Sequence, residues 1–111
     1  MPKKLSNIKL KERKTETYKL ISMLYKFLKE YPKNTSLKKI YGQRILGYYD
    51  YGTDQIVIDY RKDIIPTLIH EFIHRTHPEL CETDVLKKEK EIMIVITPRQ
   101  CKHILKALAN T

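Results

Sequence analysis

QIVIDYRKDIIPTLIHEFIHRT, residues 55–76, changes its hydrophobic period partway along, and that change decides the fold class. In its first half Ile56, Ile58 and Tyr60 alternate with Val57 and Asp59, the period of two in which a strand sends successive side chains to opposite faces. After Arg61 and Lys62 the apolar residues return at three-to-four spacing, the period of a helix. Asp63 stands where a capping residue belongs, and Pro66 is compatible with a helix only in its first turn.

Upstream, SLKKIYGQRILGYYDYGTDQIVIDYR (36–61) is rich in β-branched and aromatic residues and punctuated by Gly42, Gly47 and Gly52, as a small sheet of three short strands is. Asp50 to Asp54 supplies the turn before the last of them. Before the sheet, Leu20, Ile21, Leu24, Phe27, Leu28 and Tyr31 form the stripe of an amphipathic helix over Thr15–Tyr31, which Pro32 ends. Downstream there are two competing starts for the next helix, Thr76 with Glu79, or His77 followed by Pro78 at the first helical position; either runs toward Ile96. Thr97, Pro98 and Gln100 are the cap, first-position proline and third-position glutamine of a final helix through Ala109. The fold class is therefore α+β, with an N-terminal helix, a small three-stranded sheet, a helix carrying HEFIH, and two further C-terminal helices.

The 111 residues and 13.3 kDa suit a single domain, residues 1–111, because a second core would have too little chain to bury itself. No stretch approaches the length of a membrane span. The opening MPKKLSNIKLKERK is basic but lacks the apolar centre and small-residue cleavage site of a secretory signal, so the expected compartment is the cytoplasm. Cys81 and Cys101 lie outside any CxxC spacing and are expected to stay reduced there. The formal charge of +9 attracts nucleic acid, anionic membrane and acidic protein alike and does not choose among them. Lysine, isoleucine and glutamate richness without tryptophan fits a thermophilic composition.

HEFIH carries the chemistry. Residues four apart on a helix stand on one face, so His70 and His74 can offer two imidazole nitrogens to one Zn2+ at about 2.0–2.1 Å. Glu71 falls beside the metal rather than on it, where a carboxylate serves as general base toward a zinc-bound water. A catalytic zinc needs a third protein ligand and one open position. If the next helix returns in a hairpin near residues 76–79, the level between the two histidines falls opposite residues 79–86, a window that contains Glu82. Glu82 also shares a face with Val85, Leu86, Glu89 and Ile92, and an unpaired carboxylate on such a stripe would be costly. Its plainer use is that of a first-turn acid favouring the helix dipole. His77 competes as a better ligand type, provided the chain bends sharply after His74, which Pro78 favours. Glu89 and His103 are remoter options. Tyr48, Tyr49, Tyr51 and Tyr60 are near enough in sequence to be considered for stabilising an oxyanion, and the strand Gln55–Asp59 is expected to bind an extended substrate along its edge.

The order of helix, three-stranded sheet, HEFIH helix and further helices resembles the minigluzincins, minimal metallopeptidases of thermophilic archaea. The resemblance is specific at His70, Glu71 and His74 and otherwise rests on element order and size. It implies a zincin-like core, a zinc metallopeptidase that hydrolyses peptide bonds in peptide or unfolded protein substrates, and Glu71 as base. The chain departs from the ExxxD pattern of larger gluzincins: four places after Glu82 comes Leu86, and four after Glu89 comes Met93. The resemblance also implies a regulatory C-terminal segment. Residues 97–111 carry Ile104, Leu105 and Leu108 on one stripe, which packs internally or mediates a concentration-dependent homo-oligomer in which His103 covers the zinc.

Two other classes compete. A basic non-catalytic nucleic-acid-binding module would use the lysines and tyrosines, but lysines occur in every segment and no RRM, KH or zinc-finger signature is present. A structural zinc would be enclosed by four protein ligands.

Overall fold

α1, Pro2–Glu30, opens the computed structural model, which describes residues 2–41 and 45–109, with side chains from residue 15 onward. The expected stripe is its buried face: Leu20, Ile21, Leu24, Phe27 and Leu28 are all in the core. The helix begins well before Thr15, in a lysine-rich stretch whose charges hide the period. Pro32 ends it and starts a short 3-10 turn, Pro32–Asn34, as its missing amide hydrogen dictates.

The three strands are β1 (Thr35–Lys38), β2 (Gly47–Asp50) and β3 (Gln55–Asp59), in the spatial order β1-β3-β2. β3 runs parallel to β1, with Leu37 opposite Ile58, and antiparallel to β2, with Tyr49 opposite Ile56. The strand with the clearest alternation is thus the central one, paired on both sides. Ile56 and Ile58 enter the core, and Val57 and Asp59 on the opposite face are buried as well, while Tyr60 lies past the strand end and is exposed. The Asp59 carboxylate accepts bonds from the Arg61 side chain and from the backbone amides of Arg61 and Ile40. The Arg61 guanidinium is the main cause holding it well below the usual carboxylate range.

β2 and β3 are joined by the turn expected before β3, which ends on Asp54 at φ 53°. Asp54 tolerates this left-handed backbone because its neighbours fix it. Its carboxylate accepts from Tyr49 Oη at 2.6 Å and from Arg75 Nε and Nη2 at 2.8 and 3.1 Å, while its carbonyl accepts from Asn34 Nδ2 at 2.8 Å. The Arg75 guanidinium, held 4.3 Å above the Phe27 ring, thereby ties the end of α2 to the sheet turn and to α1.

α2, Ile64–Thr76, buries Thr67, Leu68, Ile69, Phe72 and Ile73 against β2, β3 and α3. Gly47 allows β2 to lie this close: a Cβ there would sit 2.6 Å from Thr67 Cγ2 and 2.7 Å from the Val57 carbonyl oxygen. Asp63 precedes α2 at the cap position but does not cap it through its side chain. Its backbone is left-handed, φ 49°, and no side-chain capping bond is made. The third helical residue is Pro66, so the amide that a capping carboxylate commonly accepts from does not exist.

α3 is Glu82–Val95, which corrects both expected starts. Pro78 is the second residue of a turn closed by the Leu80 amide donating to the His77 carbonyl at 3.1 Å. Leu80 packs against the core, and the helix starts only after Cys81, with Glu82 and Asp84 in its first turn. α4, Pro98–Ala109, opens with the reciprocal cap expected of it: the Gln100 amide donates to Thr97 Oγ1 at 3.2 Å and the Thr97 amide to Gln100 Oε1 at 2.8 Å. α4 buries Ile104 and Leu108 in the common core, packing on α1, α2 and β1. Cys81 and Cys101 are free thiols. Among the described residues no helix is long and apolar enough to cross a membrane.

Candidate metal centre

Helical spacing places His70 and His74 one turn apart on one face of α2, and the turn through Pro78 brings the first residue of α3 back beside them. The ligating atoms of His70, His74 and Glu82 lie within 4.8 Å of one another, a group that can hold a metal ion. His70 Nε2 is 2.6 Å from Glu82 Oε1, His74 Nε2 is 3.0 Å from Glu82 Oε2, and the two Nε2 atoms are 3.3 Å apart. Two donors each about 2.05 Å from a tetrahedral cation stand about 3.3–3.4 Å apart, so the histidine pair already has that spacing. Glu82 reaches in from the mouth of the site, its side chain 61% exposed, against 14% for His70 and 21% for His74.

His70 Nδ1 is 2.8 Å from Glu89 Oε1, which lies two turns further along α3 on the face of Glu82. A proton on Nδ1 donated to Glu89 leaves the Nε2 lone pair facing a carboxylate oxygen and a second imidazole. A cation among them satisfies all three acceptors, so the donor set of two imidazoles and one carboxylate fits a divalent metal. Glu89, weighed above only as a remote ligand, instead pairs with the second nitrogen of His70. The signal was in the sequence: a metal-bound histidine places its second nitrogen on a carboxylate, and Glu89 shares the stripe of Glu82.

Glu71 is half-buried beside the histidines and lines the same cavity. Burial raises its carboxyl above the usual range; His70, His74 and the backbone amide of Tyr49 pull it back down, and Glu82 adds to the rise. The cavity, about 540 Å³ and open to solvent, runs along α2 past Asp63, Pro66, Thr67, His70 and Glu71, between the Ile45–Gly47 segment and the Glu82 and Glu89 side chains.

The remaining candidates lie elsewhere. His77 is outside the group. It terminates α2, its amide donating to the Ile73 carbonyl at 2.8 Å and its Nδ1 lying 2.9 Å from Thr76 Oγ1, and it lines a separate cavity with Glu16, Lys19 and Lys88. The bend after His74 exists, but it turns His77 toward α1 rather than back to the histidines. His103 stacks on Tyr25, ring centroids 4.6 Å apart, in a groove between α1 and α4. Of the tyrosines, none lines the cavity among the described residues. The Tyr49 hydroxyl is committed to Asp54, and its pKa is pushed up to about 12, by burial first and then by that bond. The edge expected of β3 does not exist, since both its sides are paired; among the described residues the strand that flanks the cavity and pairs with another strand on one side only is β2. Family models, curated proteins and solved structures were each compared with the chain, and none matches it.

Proposed function

We propose that this chain is a zinc-dependent endopeptidase with a zincin-like, minigluzincin-type core, acting on peptide or unfolded protein substrates. The observation that carries the reading is the convergence of His70, His74 and Glu82 around one point, with Glu71 beside it on an open cavity. Three protein donors and adjoining open space, among the described residues, match a catalytic rather than a fully enclosed structural site.

His70, His74 and Glu82 would hold the ion, and Glu89 fixes the His70 ring through Nδ1. Bound there, Zn2+ supplies Lewis acidity, polarising the scissile carbonyl and making water acidic near neutral pH. Glu71, not a ligand, takes a proton from the attacking water at its carboxylate and returns it to the leaving amide nitrogen. The outer side of β2, which pairs with no strand among the described residues and turns its Tyr49 amide to Glu71, leaves backbone groups along which an extended substrate can be laid.

The test pairs metal analysis with cleavage of an unstructured protein. Zinc should co-purify at about one ion per chain, and a chelator should abolish cleavage. Glu71→Gln should keep the zinc and lose about a hundredfold or more in turnover. A Glu71→Gln protein that cleaves at the wild-type rate would overturn the reading.

A further inference from the structure

The cavity does not end at the metal centre. It continues along α2 for seven residues toward the helix N-terminus, about 10 Å of helix axis, and Asp63 lines it at that far end. Ile45, Leu46 and Pro66 supply apolar wall between the two ends. Asp63 has lost the usual employment of an aspartate before a helix: Pro66 removes one of the two amides it would accept from, its backbone is left-handed where a capping residue is extended, and its carboxylate makes no capping bond. Its carbonyl alone serves the helix, accepting from the Thr67 amide at 3.0 Å. No lysine or arginine lines the cavity among the described residues, although the whole chain carries a formal charge of +9.

The charges decide what such a trough accepts. Glu71 and Glu82 would offset the two charges of a divalent ion, Glu89 is engaged with His70, and among the described residues Asp63 remains as the uncommitted anion at the end of a passage with an apolar wall. We infer that Asp63 is a specificity-determining residue, and that the trough takes a substrate side chain with a long apolar stem and a cationic head, lysine or arginine, next to the scissile bond. This rests on the peptidase reading above. The stem lies along Ile45, Leu46 and Pro66 while the ammonium or guanidinium reaches the Asp63 carboxylate.

The test uses the full-length zinc-loaded protein and quenched peptides that differ only in the residue flanking the cleaved bond: lysine, arginine, methionine or glutamate. The lysine and arginine peptides should exceed the methionine peptide in kcat/KM by about five-fold, the size an exposed ion pair supports, and the glutamate peptide should be the poorest. The ratio should shrink with added salt. In Asp63→Asn the lysine-to-methionine ratio should fall to about one, whatever happens to the absolute rate. Asp63→Gly, which suits the left-handed backbone, should do the same and serves if the asparagine variant folds poorly. Wild-type cleavage without a cationic preference, or a ratio unchanged in both variants, overturns the inference and leaves the peptidase intact. A zinc-loaded wild type that cleaves none of the peptides and no unfolded protein overturns both.

Discussion

At the scale of single residues, the centre is organised by what each side chain is prevented from doing. Glu82 and Glu89 stand two turns apart on one face of α3 and meet the same histidine from its two nitrogens, so in a metal-loaded centre one carboxylate would be a ligand and the other would orient the ring. Glu89→Gln keeps the shape but exchanges an anionic acceptor for a neutral amide. We expect zinc affinity to fall about tenfold or more in a competition titration with a chromophoric chelator, with the unfolding midpoint of the metal-free protein little changed. A variant with wild-type affinity would remove Glu89 from the site. His70, Glu71 and His74 were legible in the sequence because helical spacing alone places them. Glu82 was legible because helix rise and a short hairpin fix the level at which α3 returns. The pairing of Glu89 with His70 is not legible in the same way, because it depends on how closely α3 packs beside α2 two turns beyond Glu82.

Among the elements, those whose determinants are local were read correctly and those fixed by distant partners were not. The α4 start needs only Thr97, Pro98 and Gln100, which bond to one another. Thr97→Ala should therefore cost about 1 kcal/mol, read as a lower urea midpoint at unchanged slope, and no loss of midpoint would count against the cap. The α3 start depended on whether Pro78 opens a helix or a turn, and the packing of half-buried Leu80 against the core favours the turn. The strand order was likewise beyond local reading. The pattern of Gln55–Asp59 announces a strand, but its place in the middle follows from pairing with β1, about twenty residues earlier, and this moved the free edge beside the cavity to β2. Asp63 has the right residue type for a cap but a left-handed backbone, and Pro66 takes away one of the two possible donors.

Across the whole molecule, two carboxylates act as clamps. Asp54 joins the sheet turn to α2 and α1 through Arg75, and Asp59 ties the end of β3 to Arg61 and to the Ile40 amide. Both are held below the ordinary carboxylate pKa, chiefly by bonds from Arg75 and from Arg61 respectively. A depressed folded-state pKa means that the unfolded chain binds the proton more readily. The stabilisation is therefore fully present above the unfolded value of about 4 and is lost as pH falls through the lower folded value. Metal-free protein should accordingly melt at a lower temperature at pH 3 than at pH 6, and Asp54→Asn should show a smaller drop over that interval; an equal drop in the variant would exclude Asp54 from the acid response. The short segment between positions 70 and 82 has a different consequence, in the order of events during folding. The ion's donors are close neighbours along the chain, whereas β1 and β3 must meet across a longer loop, so the entropy of closing the metal site is the smaller of the two. A cation present during refolding can knit α2 to α3 before the sheet is assembled, and its mark will be a faster refolding rate with the unfolding rate little changed.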